Sequence, residues 1–187
     1  MSPQLQGYAD AYRDARATLH SFVDGLTDEA FNWKPDAKRW SVGECIVHLN
    51  KMAKGYLPLF REAVEARAAL GEGPFTYGFV TRKFTDAVRP GSRPIPTGGG
   101  MKPPPAEGTR SAIDKARAVE RFDTDIDAYL EVIEASEGLD LARIKVRSPF
   151  LPLLRLPLGG MLDAMGLHAI RHVQQAERVT RLDDFPA

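Results

Sequence analysis

Cysteine is nearly absent from this chain of 187 residues, and several other features are missing as well. The single cysteine excludes an intramolecular disulfide and fits a reducing compartment, so we expect a cytoplasmic protein. No run of about 18 apolar residues occurs, so we expect no membrane-spanning helix and no membrane partner. The first residues, MSPQLQGYADAYRD, lack a basic start followed by an apolar stretch, and we therefore expect no signal peptide.

Neither sign of charge is in excess, because 25 basic residues balance 25 acidic ones. A balanced chain lacks the electrostatic footprint of a nucleic-acid-binding protein, so we expect no nucleic-acid partner. Hydrophobic residues make up 43% of the chain, which argues against disorder. The length suits one domain with a sizeable core, and we expect residues 1–187 to form a single domain.

Four stretches of the chain carry apolar residues spaced alternately three and four apart, the pattern of one buried stripe along a helix. They run from Leu5 to Leu26, from Val42 to Ala63, from Ala112 to Ile133 and from Leu158 to Leu182. Evidence for strands is thin, since residues 144–147 alternate only briefly and the aromatic run at 75–80 is short. The sequence therefore predicts an all-α protein, a four-helix bundle.

Polar residues mark where some of these helices begin. Ser41 precedes Glu44 by three residues, which predicts a capping box at the start of the second stretch. Ser111 or Thr109 is a candidate cap for the third stretch. Thr27 is a candidate cap for a short helix in the first linker.

Residues 71–108 form a long linker that is rich in glycine and proline. Its length exceeds that of ordinary helix connections, so it either crosses the bundle, letting the second and third helices run parallel, or forms a lid. We expect three phenylalanines to anchor this linker and two tryptophans to plug the end of the bundle; these residues are Phe75, Phe79, Phe84, Trp33 and Trp40.

The fourth stretch places two histidines and a glutamine where helix packing would place leucines. His168 and His172 are four residues apart, so their side chains project from one face about one turn apart, and two imidazoles at this spacing can bind one ion. An unsatisfied polar group in such a stripe costs roughly 1–3 kcal/mol. The alternative interpretation is a buried pair that only forms hydrogen bonds.

A third histidine, His48, lies at the edge of the buried arc of the second stretch. Three histidines from two helices would leave coordination positions open for water or substrate, as in a catalytic rather than a closed structural site. Neutral imidazoles suit zinc, nickel, copper or iron, and the three nitrogens alone do not choose among them. His20 falls about 100° away from the first stripe, and we expect it on the surface.

Three neighbours of these histidines offer further roles, each with a structural alternative. Gln175 follows His172 by one turn and either orients a ligand or bound water, or hydrogen-bonds another helix. Glu44 precedes His48 by one turn and is a candidate fourth ligand or general base, although its capping role explains it equally well. Cys45 can bind a soft metal, but we favour its interpretation as a small core residue.

Two segments resemble the DinB-like (DinB/YfiT) superfamily: NWKPDAKRWSVGECIVHLN at residues 32–50 and GLHAIRHVQQAERV at residues 166–179. The family pattern is a tryptophan and a small polar residue opening the second helix, a histidine eight residues after that tryptophan, and a late H-x-x-x-H followed by glutamine. Here it is filled by Trp40, Ser41, His48, His168, His172 and Gln175. The linker segments at 101–103 and 148–150 are similar too, and the resemblance covers nearly the whole chain.

The resemblance implies a four-helix bundle with up-down-down-up topology, which would account for the long crossover at 71–108. It also implies that His48, His168 and His172 bind a divalent metal, most often zinc or nickel. Some relatives transfer a low-molecular-weight thiol to electrophiles, and others isomerise or hydrolyse small molecules. Relatives are often dimeric. We therefore expect a small-molecule substrate or a thiol as a partner, together with a homodimer.

Three functions compete at this point. The first is a metal-dependent hydrolase or thiol transferase, in which the metal lowers the pKa of a bound water or thiol and so generates a nucleophile near neutral pH. The second is a non-catalytic protein that binds a metal or another ligand. The third is a structural bundle whose histidines only form hydrogen bonds. The sequence does not choose between hydrolysis and thiol transfer.

Overall fold

The computed structural model describes residues 1–94, 96–106, 108–151 and 153–186, and most of them are helical. In chain order the elements are α1 (Pro3–Val23), α2 (Asp28–Asn32), α3 (Val42–Glu65), α4 (Phe79–Val88), α5 (Lys115–Ala135), β1 (Lys145–Arg147), β2 (Arg155–Pro157) and α6 (Leu158–Thr180). A single 3₁₀ turn at Gly99–Met101 lies between α4 and α5. The four predicted stripes correspond to α1, α3, α5 and α6, which confirms the prediction of a mostly helical protein.

The four long helices enclose one hydrophobic core. Helices α1 and α3 each pack against both α5 and α6. Tyr12 and Tyr129 stack with their rings 4.6 Å apart, and the Tyr12 hydroxyl donates a hydrogen bond of 2.9 Å to the Leu162 carbonyl. Burying one large apolar side chain stabilises the fold by roughly 1.5–3 kcal/mol, so the stripes supply the energy that holds α3 and α6 side by side.

The helix starts follow two of the three predicted caps. Ser41 and Glu44 form the capping box, since the Ser41 hydroxyl accepts from the Glu44 N–H at 3.0 Å and the Glu44 carboxylate accepts from the Ser41 N–H at 2.9 Å. Thr27 caps the short helix α2. The prediction for α5 was wrong, because Asp114 is the cap and accepts from the Arg117 N–H at 3.0 Å.

Ser111 has a different role from the predicted one. Its hydroxyl lies 2.9 Å from the Ser41 hydroxyl and donates to the Asn32 side-chain oxygen at 2.7 Å. The segment before α5 is therefore tied to the start of α3. Thr109 contributes its carbonyl, which accepts a 2.9 Å hydrogen bond from the Lys34 N–H.

The expectation that residues 144–147 form no sheet was also wrong. β1 pairs with β2 in an antiparallel hairpin, with Val146 opposite Leu156. Both of these side chains are buried in the core. Strands of three residues are too short to show an alternation, and the partner strand lies beyond a proline-containing loop, so local pattern did not reveal the pairing.

The 71–108 linker is held against α6 by α4. Gly159 and Gly160 make this contact possible, because a Cβ at Gly160 would overlap the Thr81 side chain and one at Gly159 would overlap the Tyr77 hydroxyl. Two of the predicted anchors, Phe75 and Phe84, pack on the core, whereas Phe79 is 66% exposed, so the anchoring prediction was wrong for Phe79.

His20 is only partly exposed, so the expectation that it lies on the surface was incomplete. One ring nitrogen lies 3.0 Å from an Asp24 oxygen and the other lies 3.0 Å from an Asp123 oxygen on α5. The histidine therefore links α1 to α5. Among the described residues, no helix has a stretch that is long and apolar enough to span a bilayer.

We expect Gly160→Ala to destabilise the protein by about 1–3 kcal/mol, because the new methyl group would force Thr81 and α4 away from α6. Gly7→Ala in α1 is the matched control, since a Cβ there meets nothing within 4 Å. That variant should gain about 0.5–1 kcal/mol from helix propensity alone. Urea unfolding of both variants measures the difference, and a stabilised Gly160→Ala protein would contradict the packing argument.

His20→Asn should lower stability at acidic pH more than at alkaline pH. The hydrogen bond to Asp123 is the main cause that raises the pKa of His20, and Asp24 adds to it. A raised pKa in the folded state means that the stabilisation is fully present below the unfolded value of about 6.5 and is lost as pH rises through the folded value. Because the side chain is partly exposed, the effect should be about 0.2–1 kcal/mol.

Unfolding free energies at about pH 5.5 and about pH 9, on either side of this transition, measure the difference. Arg16→Gln is the control, since Arg16 pairs with Asp127 across the same α1–α5 interface and keeps its charge throughout this range. A cost of His20→Asn that does not vary with pH would rule out the ionic contribution.

Candidate metal centre

Helices α3 and α6 bring three histidines to one point. His48 comes from α3, and His168 and His172 come from successive turns of α6. The Nε2 atoms of His48 and His168 are 3.0 Å apart, and one nitrogen from each of the three rings lies within 4.8 Å of the others. His48 and His168 are 120 positions apart in the sequence, and they are neighbours in the folded protein.

The orientation of His48 is fixed from its other side. Its Nδ1 lies 2.7 Å from the Met101 carbonyl, and since a carbonyl only accepts, Nδ1 carries the proton and donates it. The Nε2 lone pair of a neutral His48 therefore points at His168. The sequence does not predict this contact, because the acceptor is a backbone carbonyl and every residue has one.

The three imidazoles lie in surroundings that favour their neutral form. His48 and His172 are almost fully buried, and His168 is partly exposed. Burial lowers the pKa of all three, that of His168 to about 3, and the mutual proximity of the rings lowers the pKa of His168 and His172 further. Neutral imidazole is the form that binds metals, so protons compete only weakly for these nitrogens near pH 7.

The donor set fits a divalent metal ion. Two nitrogens that each lie about 2.0–2.1 Å from one zinc ion are about 3.3 Å apart at a tetrahedral angle, close to the 3.0 Å between the Nε2 atoms of His48 and His168. The Nε2 atoms of His48 and His168 are also within hydrogen-bond distance of each other, and the buried Nδ1 atoms of His168 and His172 have no hydrogen-bond partner among the described residues. A metal ion bound by Nε2 of His168 would leave its Nδ1 in the same surroundings, so the fit to a metal rests on the spacing of the three rings.

Trp40 covers the group, a role that differs from the predicted plug at the end of the bundle. Its ring centre is 5.1 Å from that of His48 and 5.6 Å from that of His172, and it stacks nearly parallel to His172. An aromatic face on two of the rings excludes water from that side and restricts their rotation. The other tryptophan, Trp33, makes an edge-to-face contact with Phe185.

The structure places Glu44 and Cys45 outside the histidine group. One Glu44 oxygen accepts from the Lys34 ammonium at 3.0 Å and the other is used in the capping box, so both have partners within the protein. A role of Glu44 as a general base stays a prediction. Cys45 is fully buried in the core, and this burial raises its pKa well above the usual range, which agrees with the favoured interpretation as a core residue.

A cavity of about 1000 Å³ adjoins the histidines. His48, His168 and His172 all line the cavity, and so does Gln175. The Gln175 side chain raises the pKa of His172 slightly against the larger lowering by burial. The linker supplies another part of the wall, including Met101 and the prolines that follow it. A small molecule can therefore reach the point where the three rings meet.

The comparisons with known proteins identify a family but no individual relative. No protein of curated function and no solved structure matches the chain. A family model described as the DinB superfamily matches residues 11–176, a range that contains all three histidines. Because this match spans most of the 187 residues, the chain belongs to the DinB superfamily.

Proposed function

We propose that the protein is a metal-dependent enzyme that acts on a small molecule, either as a hydrolase or as a thiol transferase. The observation that carries the proposal is the convergence of three neutral imidazoles, from α3 and α6, at the wall of a large cavity. A divalent ion, zinc or nickel, would be held by His48, His168 and His172. When bound, such an ion lowers the pKa of a coordinated water or thiol and so supplies a nucleophile near neutral pH.

The chain's own residues prepare the site for this reaction. The Met101 carbonyl holds His48 in the tautomer that presents Nε2, which is the usual second contact of a metal-ligating histidine. Trp40 shields two of the rings from water. Gln175 lines the cavity one turn beyond His172, where its amide is placed to hydrogen-bond a reacting group.

We also infer the up-down-down-up order of the long helices, on the support of contacts near their ends. The hydroxyls of Ser41 and Ser111 meet before the starts of α3 and α5, and Arg61 pairs with Glu131 further along both helices. Helices α3 and α5 would then run in the same direction. Two parallel helices need a connection as long as the bundle, which is the role proposed for residues 71–108.

The remaining helices fit the same order. His20 lies near the end of α1 and contacts Asp123, near the start of α5, whereas the Ser2 N–H at the other end of α1 donates to Glu137 just beyond α5. These two helices would therefore run in opposite directions. With four long helices around one core, we infer that residues 1–187 form a single domain.

Metal analysis tests the proposal directly. Protein purified without a histidine tag should contain about one equivalent of a divalent metal ion, and His48→Ala or His172→Ala should reduce this severely, since each removes one of three ligands. His20→Ala is the matched control because His20 pairs with Asp123 on the far side of α1 and should leave the metal content unchanged. A wild-type protein that binds no stoichiometric metal on reconstitution would refute the proposal.

The two reactions differ in what they require. Metal-loaded protein is incubated with an electrophilic ester, with and without a low-molecular-weight thiol, and the products are identified by mass spectrometry. Hydrolysis predicts turnover without thiol, and thiol transfer predicts a thioether or thioester only when the thiol is present. If neither product forms while metal is bound, the non-catalytic metal-binding alternative replaces the enzyme proposal.

A further inference from the structure

The charged side chains that line the cavity are almost all of one sign. Six are cationic, and Glu44 is the acidic one among the lining residues that the structure describes; the six are Lys34, Lys38, Arg39, Lys102, Arg171 and Arg178. The chain as a whole has equal numbers of basic and acidic residues. The excess of positive charge is therefore a property of this cavity and does not follow from the composition.

Two of the six cations are neutralised by carboxylates of the protein. The Lys34 ammonium lies 3.0 Å from Glu44, and the Arg39 guanidinium lies 2.7 Å from Asp36. The other four, Lys38, Lys102, Arg171 and Arg178, have no carboxylate within 4 Å in the described parts of the chain. All four line the cavity; Arg171 is half-buried, and Lys38, Lys102 and Arg178 are exposed to solvent.

Arg171 and Arg178 make the strongest case, because both lie on α6 beside the histidines. They are seven residues apart, which places them on the same face about 10.5 Å apart along the axis, with Gln175 between them. The two positive charges on this wall repel each other, and an anion bound between them or beside them would reduce that repulsion.

The linker also holds Arg171 in this position. Its guanidinium donates to the carbonyls of Ala87 and Arg93, at 3.0 and 3.2 Å, and to the Ser92 hydroxyl. All three acceptors are neutral, so they orient the side chain and leave its charge uncompensated.

Apolar side chains form much of the remaining wall, among them Met52, Phe84, Phe150 and Met165. From these observations we propose that the cavity binds a small organic anion, whose apolar body packs on these side chains and whose negative group faces Arg171 and Arg178. This anion would be the substrate of the proposed enzyme, so the inference rests on the proposed function. A divalent ion held by three neutral imidazoles keeps both of its positive charges, which favours an anionic substrate further.

The test compares two fluorescent probes that differ in one charged group. 8-Anilinonaphthalene-1-sulfonate is an apolar anion, and N-phenyl-1-naphthylamine is the same ring system without the sulfonate. Titration of metal-free, full-length protein should show the sulfonate binding at least about five-fold more tightly than the amine, as expected from one partly desolvated ion pair of about 1 kcal/mol. High salt should weaken the binding of the sulfonate and leave the binding of the amine unchanged.

Arg178→Gln and Lys102→Gln should each lower the affinity for the sulfonate by about three- to ten-fold and leave that for the amine unchanged. Arg181→Gln is the matched control, because Arg181 lies three residues after Arg178, just beyond the end of α6 and outside the cavity, and pairs with Glu177 at 2.5 Å. Thermal melting of the three variants shows that each is folded. Arg171 is left intact because its substitution would also release the linker.

The two proposals can fail independently, since the probes bind metal-free protein. Equal binding of the two probes by the wild type, or equal effects of Arg178→Gln and Arg181→Gln on the sulfonate, would overturn the anion site even if the histidines bind metal. A preference for the sulfonate that depends on Arg178 would support the anion site, whether or not the protein takes up metal. Failure to take up metal would refute the proposed function alone.

Discussion

The site depends on how α3 and α6 pack against each other. Their apolar stripes fix the two helix axes, and that contact places the Nε2 atoms of His48 and His168 3.0 Å apart. Each histidine occupies a helix position that could have held a leucine, and the core gives up stability for these groups, because an unsatisfied buried polar atom costs roughly 1–3 kcal/mol. One nitrogen from each of the three rings lies within 4.8 Å of the others, and this arrangement could hold a metal ion.

The long linker contributes more to this site than a connection between helices. Its 3₁₀ turn ends at Met101, whose carbonyl orients His48, and the last turn of α4 and the residues just beyond it accept hydrogen bonds from Arg171. The glycines at the start of α6 let α4 lie close against that helix. One segment thus sets a histidine tautomer, positions a cationic side chain and forms part of the cavity wall. This makes the stability of α4 against α6 relevant to binding as well as to folding.

Charge is distributed unevenly in a chain whose total is balanced. Several acidic residues lie in ion pairs away from the cavity, for example Asp127 with Arg16 and Asp123 with His20. Around the cavity the pairing is incomplete, and the cations that remain face the same space as the histidines. The unpaired cations make the cavity electropositive, and the neutral imidazoles add no negative charge that would offset them. The proposed substrate class follows from this combination and from the apolar side chains beside it.

Periodic patterns in the sequence were sufficient for the four long helices and the capping box at Ser41, because each depends on spacing within one helix or on a short motif. The set of three histidines, which come from two helices, was proposed from spacing together with the family resemblance. Periodicity did not predict three features of the structure: the β1–β2 hairpin, the Asp114 cap and the exposure of Phe79. Each of them is decided by contacts with neighbours that are distant in sequence. Only the tertiary structure brought the Met101 carbonyl to His48, Trp40 to the imidazoles and the unpaired arginines to the cavity. Sequence determined which residue types are present and which helix face holds them, because residue type and helical period are local properties. The fold decided which of them share one environment, because distance and burial depend on the packing of the whole chain.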